Sequence, residues 1–78
     1  MEIRVACHAG YRGEKTPRRL MFGGRNIDIV DVVDLWHGVD HRYVKVLGAD
    51  RATYIIRQDI PTQTWELTMF QRPPAYGA

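Results

Sequence analysis

The feature that most constrains the fold is a β-branched, apolar run that follows a pair of glycines. Gly23-Gly24 separates a short apolar segment from residues 27–36, which are mostly isoleucine, valine and leucine with interspersed aspartates. Branching at Cβ favours a strand over a helix. Adjacent glycines allow positive φ at both central positions of a tight turn. We therefore expect a β-hairpin whose second strand is long.

The alternation of side chains along this second strand is irregular. Strict period two places four apolar residues on one face and two on the other, namely Ile27, Ile29, Val33 and Leu35 against Val30 and Val32. Either both faces are covered, or a bulge near Val30-Asp31 switches the face as the strand bends. A long bent strand shared by two halves of a small sheet is one way in which small barrels close.

The rest of the chain predicts further short strands separated by turns. Alternating apolar and polar residues predict strands over 2–8, 19–22, 41–47, 52–57 and 64–70. Glycine, proline and charged residues predict loops over 9–17 and 58–63. A domain of this size needs its large side chains inside. The expected core residues are Trp65, Leu67, Ile56, Tyr54, Val33, Ile29 and Trp36, together with Tyr43.

These elements predict an all-β fold, either a small antiparallel meander or an SH3-like, partly open barrel of five to six strands. The 78 residues are expected to form one domain over 1–71 and a flexible C-terminal tail over 72–78. The single cysteine, Cys7, permits no internal disulfide, and no segment has the pattern of a signal peptide or a membrane span. We expect a cytoplasmic protein that does not contact membranes, and the sequence leaves its oligomeric state open.

The residues able to bind a metal are Cys7, His8, His37 and His41. Cys7 and His8 are adjacent in a predicted strand, so their side chains point to opposite faces. His37 and His41 are separated by Gly38 and Asp40, which favour a turn over the helix that would direct both rings at one ion. The paired Cys and His spacings typical of zinc sites are absent. We therefore expect no metal and no cofactor.

Catalysis is not predicted either. A nucleophilic Cys7 would need a base held by a third group inside a pocket, and a chain this short has little room for one. Three aspartates in the long strand could suggest a cation site, but in strict alternation Asp28 and Asp34 share one face and Asp31 lies on the other. A solvated strand face explains them better. We therefore predict that the protein is not an enzyme.

A basic segment precedes the acidic strand. Residues 1–25 contain six basic and two acidic side chains, a net charge of +4, whereas residues 26–34 contain three aspartates and no basic residue. The candidate binding residues, for a nucleic acid or another partner, are Tyr11, Arg12, Lys15, Arg18, Arg19 and Arg25. Cations that contact phosphates beside aromatic rings that stack on bases are typical of small β-barrels that bind nucleic acids. Exposed arginines also keep small sheet proteins from aggregating.

The spacing of aromatic and turn residues resembles that of a set of small, uncharacterised bacterial single-domain β proteins. The residues that carry this resemblance are Pro17, Phe22-x-Gly24-Arg25, Val30-x-x-Val33-x-x-Trp36, Tyr43, Val46, Tyr54, Ile56 and Trp65-x-Leu67. Similar actinobacterial proteins tend to be encoded near error-prone DNA polymerases. The resemblance implies a link to DNA metabolism, and it assigns no catalytic role to any residue.

Three functions follow as alternatives. The first is a non-catalytic interaction module that binds a protein through an exposed sheet edge or an apolar patch. The second is a weak nucleic-acid-binding β-barrel that uses the basic segment, and the third, an enzyme, has the least support. The arrangement of the basic side chains discriminates the first two, because convergence on one face beside an exposed aromatic would favour nucleic acid.

Overall fold

Six antiparallel strands follow one another in the computed structural model, which describes residues 1–9 and 15–72. They are β1 (Glu2–Ala9), β2 (Lys15–Phe22), β3 (Arg25–His37), β4 (His41–Gly48), β5 (Thr53–Asp59) and β6 (Trp65–Gln71). Each strand pairs with the next, and β6 pairs with β1 to close a barrel. The predicted all-β fold is confirmed. Residues 73–78, most of the predicted tail, lie outside the described residues, so the predicted domain limits stay a prediction.

The glycine pair forms the turn between β2 and β3, as expected. Gly23 and Gly24 have φ angles of +56° and +74°, and Phe22 lies opposite Arg25 on the flanking strands. Positive φ at both central residues is the geometry of the tight hairpin turn whose twist matches that of its strands. An L side chain would be strained at either position.

The first arm of this hairpin is longer than predicted. β2 begins at Lys15, inside the segment predicted as a loop, and Pro17 is buried and lies opposite Cys7 of β1. The register shifts between Ala6 and Cys7, which leaves Arg18 as the extra residue of a bulge. Proline has no N–H to donate, so strands accept it at edges and bulges. Pro17 lies where β2 pairs with β1 alone, so the strand continues through it.

β3 bends through two bulges. Its register against β4 shifts between Ile29 and Asp31 and again between Val32 and Asp34, so Val30 and Val33 are the extra residues. The first shift lies at Val30-Asp31, where a bulge was one of the two alternatives for the irregular alternation. The second was not predicted. Each bulge adds one residue to β3 and increases its local twist.

The two bulges change which residues share a face of β3. Asp28, Asp31 and Asp34 lie opposite residues of the outer face of the barrel, because each three-residue step contains one bulged valine. The prediction that Asp31 opposes the other two aspartates is therefore wrong. It assumed strict period two, which the bulges interrupt.

The core lies between the inner faces of all six strands. Its buried members are Ile3, Leu20, Ile27, Val44, Val46, Ala52, Tyr54, Ile56 and Trp65. Of the residues predicted for the core, Tyr54, Ile56 and Trp65 are buried, and Leu67 and Ile29 pack against the core while partly buried.

Two predicted core residues are not buried, and Tyr43 is only half-buried. Val33 is 52% exposed and Trp36 is 39% exposed, so their assignment to the core was wrong. Val33 is the extra residue of a bulge, and Trp36 lies opposite Tyr43 on the outer face. Apolar character identified the strand correctly but not which of its side chains the barrel covers.

β3 changes its pairing partners along its length. Residues 25–28 pair with β2, whereas residues 29–37 pair with β4. β2 continues from Arg18 back to Lys15 against β1 alone, so the two strands separate after Asp28. The barrel wall is consequently split between β2 and the distal part of β3. Its closure on the other side consists of two residue pairs, Glu2–Glu66 and Ile3–Trp65.

Candidate functional site

The split in the wall leaves one edge of β3 without a strand. Among residues 1–9 and 15–72, β4 is the only strand that pairs with residues 29–37, so their other edge carries no partner. We call this the free edge. A strand edge presents a row of backbone N–H and C=O groups that can pair with another chain. The free edge is therefore chemically competent to bind an extended segment.

Apolar side chains line the free edge. Val30, Val32, Val33, Leu35 and Trp36 are between 37% and 60% exposed. We call these five residues the edge strip. Single exposed apolar residues are ordinary on a protein surface, whereas several along one strand segment make that segment a candidate interaction site. The strip and the free edge coincide on one segment of one strand.

The edge strip presents two different faces. Val32 and Leu35 lie opposite Val46 and Val44, which are fully buried, and so continue the inner face of the barrel to the edge of the sheet. Trp36 lies on the outer face. A strand added at the free edge would extend both faces at once.

Two carboxylates stand on the outer face of the free edge. Asp31 and Asp34 are exposed, and in the described part of the chain neither forms an ion pair with a lysine or arginine. Asp34 Oδ1 accepts a hydrogen bond of 2.8 Å from the backbone N–H of Leu35. Charged side chains on an edge strand limit indiscriminate pairing with other strands. In the described part of the chain, the free edge therefore carries two carboxylates that no lysine or arginine neutralises.

A stacked aromatic pair, Trp36 and Tyr43, lies at the end of the edge strip. The rings of Trp36 and Tyr43 are stacked, with centroids 5.5 Å apart and planes 3° from parallel. Next to Tyr43 along the outer face, Arg57 Nη2 donates a 2.6 Å hydrogen bond to Glu66 Oε1. That bond holds the pKa of Glu66 below its usual value. The indole of Trp36, stacked on Tyr43, thus presents a partly exposed surface at the end of the edge strip.

Of the predicted basic residues, the three whose side chains the structure describes, Arg18, Arg19 and Arg25, do not converge on one face. Arg19 Nε donates to Asp28 Oδ1 at 2.8 Å on the outer face, which neutralises part of the basic segment. Arg25 lies 3.7 Å from Asp50 and opposite Phe22, which packs against the core, so it belongs to the other face. Arg18 is exposed at its bulge.

The remaining predicted residues cannot be placed. Tyr11 and Arg12 lie outside the described residues, and for Lys15 only the backbone is described.

A shallow depression lies beside the glycine turn. It has a volume of about 550 Å³ and is lined by Glu2, Ile3, Arg4, Met21, Phe22, Gly24, Arg25 and Asn26. These residues bring one carboxylate and two guanidinium groups, but no histidine, cysteine or hydroxyl nucleophile. Among these lining residues, Glu2 is the one whose side chain could act as a general base or a nucleophile.

The metal-competent side chains are dispersed. His41 Nε2 lies 3.6 Å from Asp59 Oδ2, whereas His8 and His37 are exposed on other strands. Within the described residues, no group of three or more His, Cys, Asp or Glu side chains could hold an ion. The same part of the chain has no helix of the length and apolar character needed to cross a membrane.

Sequence reasoning missed the free edge, although a signal for it exists. Residues 28–36 repeat the pattern aspartate, apolar, apolar three times, in the form DIV-DVV-DLW. A period of three in a strand is compatible with one polar face only if every third residue is a bulge. The repeat could thus have indicated two bulges, but not which strand would leave the edge uncovered.

Comparisons with known proteins give no relative. No protein-family model, no curated protein and no solved structure matches this chain. The resemblance to small bacterial β proteins therefore stays a prediction.

Proposed function

We propose that this chain is a non-catalytic protein-binding module that adds an extended strand of its partner to the free edge of β3. The observation that carries this proposal is the coincidence of the free edge with the edge strip on residues 29–37. In strand addition, backbone hydrogen bonds supply affinity and alternating side chains supply specificity. Residues 29–37 offer both.

Protein binding is better supported than nucleic-acid binding. Asp31 and Asp34 stand beside the exposed Trp36, so the aromatic surface is flanked by charges that repel phosphate. Arg19 and Arg25 belong to different faces, and each has an aspartate within 4 Å. The location of the complex, which we expect to be the cytoplasm, remains a prediction.

Site-specific photocrosslinking in the native cell tests the proposal. A benzoylphenylalanine placed at Val33 reports on the free edge, and the same group at Ile60 is the matched control, because these residues are 52% and 48% exposed. We expect a discrete protein adduct from position 33 that resists nuclease and is absent from position 60. Excess unmodified chain should compete for it, whereas a chain with Val32→Lys and Leu35→Lys should not.

Two results would overturn the proposal. One is an adduct at position 33 no stronger than that at position 60. The other is an adduct at position 33 that disappears on nuclease treatment, which would establish nucleic-acid contact instead.

A further inference from the structure

Resting on the proposed strand addition, we infer that the partner segment is an amphipathic basic strand in which lysine or arginine alternates with apolar residues. Side chains of an added strand would alternate between the two faces that the free edge presents. One face is acidic and aromatic, and the other is aliphatic. An alternating segment satisfies both.

The outer face of the free edge selects for cations. Asp31, Asp34 and Trp36 all belong to this face. Between Arg25 and Arg42 the chain has no lysine or arginine, while it has four aspartates. Asp28 is already bound by Arg19, and Asp40 lies beyond the end of β3, so the carboxylates of β3 that remain for a partner are Asp31 and Asp34 of the free edge. Lys45 lies opposite Asp34 on β4 but does not form an ion pair with it.

Trp36 extends this preference beyond charge pairing. Its ring is held by stacking on Tyr43 and is 39% exposed. A lysine or arginine over the face of an indole is attracted by the ring's quadrupole. Cations of the partner strand would therefore meet two carboxylates and one aromatic surface along the same face.

The inner face selects for apolar side chains. Val32 and Leu35 flank the buried Val46 and Val44, and their exposed surface lies next to the hydrophobic core. Apolar residues of the partner would cover this surface and remove it from water. Residues 29–37 have room for a segment of similar length, about 30 Å when extended.

A second copy of this chain fits the free edge less well. Antiparallel pairing of two identical edges continues both sheets with their outer faces on the same side. Asp31 and Asp34 of both copies would then lie on one face of adjacent strands, where like charges are destabilising. The bulges at Val30 and Val33 also distort both edges of such a pair, whereas a flexible peptide can follow the bend.

Three nine-residue peptides, titrated into the isotope-labelled full chain and followed by amide NMR, test the inference. The first alternates lysine and valine, the second has glutamate in place of lysine, and the third is the lysine peptide with a central proline. The lysine peptide should shift the amide signals of residues 29–37, and the other two should not bind at the same concentration. The apparent Kd should rise with salt.

Two double variants distinguish binding through the carboxylates of the free edge from a general effect of the chain's net charge. Asp31→Asn with Asp34→Asn should weaken binding of the lysine peptide about fivefold at low salt, the scale expected for two exposed charge pairs. Glu2→Gln with Asp40→Asn removes the same charge from two residues outside the free edge and should change the Kd less than twofold. Equal weakening by both pairs would overturn the inference.

Further outcomes distinguish this inference from the proposed function. Binding of the glutamate peptide at residues 29–37 as tight as that of the lysine peptide would keep strand addition and overturn the basic preference. Concentration-dependent signal changes of the chain alone at the free edge would identify a second copy as the occupant. Shifts outside residues 29–37, or no binding by any peptide, would overturn the inference.

Discussion

At the scale of single residues, the hydroxyl of Tyr54 is held inside the barrel by one acceptor. Tyr54 is fully buried, and its Oη donates a 2.5 Å hydrogen bond to Asp50 Oδ2. Asp50 also accepts a 3.1 Å hydrogen bond from the N–H of Ala52 and lies 3.7 Å from Arg25. Burial, and then the bond to Asp50, raise the pKa of Tyr54 to about 12. The tyrosine thus links the core to the turn before β5.

Replacing this tyrosine by phenylalanine should cost stability in a pH-dependent way. Tyr54→Phe keeps the ring but leaves Asp50 with one donor fewer, at a cost of about 1–3 kcal/mol at neutral pH. A raised folded-state pKa stabilises the wild type below the ordinary tyrosine pKa of about 10, and this contribution is lost as the pH rises toward the folded value. The difference between the two chains should therefore shrink above about pH 10. Urea unfolding at pH 7 and at alkaline pH measures it, and a constant difference would contradict this role of Tyr54.

Gly48 illustrates close packing at the end of β4. A Cβ at this position would lie 2.8 Å from Ile27 Cγ2 and 2.6 Å from Asp50 Oδ1. Gly48→Ala should therefore destabilise the fold by about 1–3 kcal/mol, because the buried Ile27 cannot move freely. Gly38→Ala is the control, since its Cβ would meet its nearest neighbour, Tyr43 Cε1, at 3.4 Å. Equal melting temperatures of the two variants would show that Gly48 is not needed for packing.

At the scale of elements, β3 shows how far local sequence determines structure. The glycine pair and the β-branched run were sufficient to predict a hairpin and a long strand, and they left the bulge at Val30 as one of two alternatives. These features depend on φ preferences and side-chain shape, which are local properties. The bulge at Val33 and the exposure of Trp36 depend on where β2 leaves β3, and that depends on pairing between distant strands. The local sequence pattern therefore could not predict the bulge at Val33 or the exposure of Trp36.

A valine-to-threonine substitution should have unequal effects at an exposed and at a buried position of the β3–β4 pair. Val33→Thr changes an exposed bulge residue and should alter the free energy of unfolding by less than about 0.5 kcal/mol. Val46→Thr buries a hydroxyl in the core and should cost about 1–3 kcal/mol. Urea midpoints of the two variants provide the comparison. A larger loss from Val33→Thr would place Val33 in the core and remove it from the edge strip.

At the scale of the whole molecule, the barrel is closed unevenly. Five consecutive pairings form longer ladders, whereas β1 and β6 meet through two residue pairs, extended by a 2.8 Å hydrogen bond from the N–H of Leu67 to the carbonyl oxygen of Met1. Trp65 belongs to this short closure and is also 6% exposed in the core. The fold class was predictable because every strand pattern agreed with it. The uneven closure and the split beside β3 were not, because both arise from how the strands bend after pairing.

Truncating this tryptophan should unfold much of the population. Trp65→Ala removes a core side chain and one side of the closing pair, at a cost of about 3–5 kcal/mol, which is comparable with the whole stability of a small domain. Thermal unfolding followed by circular dichroism gives the measurement. A cooperatively folded variant with a nearly unchanged Tm would show that Trp65 supports neither the core nor the closure.

Amide hydrogen exchange of the isolated, dilute chain tests directly whether residues 29–37 have a free edge. If β3 has a free edge, residues 29–37 should include slow amides, which pair with β4, and fast amides, which point to the free edge, and their alternation should be interrupted at the bulges of Val30 and Val33. The amides of residues 25–28 that pair with β2 should exchange slowly. Adding the lysine–valine peptide should slow the fast amides. Uniformly slow exchange across residues 29–37 in the dilute free chain would contradict the account, because the edge would then already be covered.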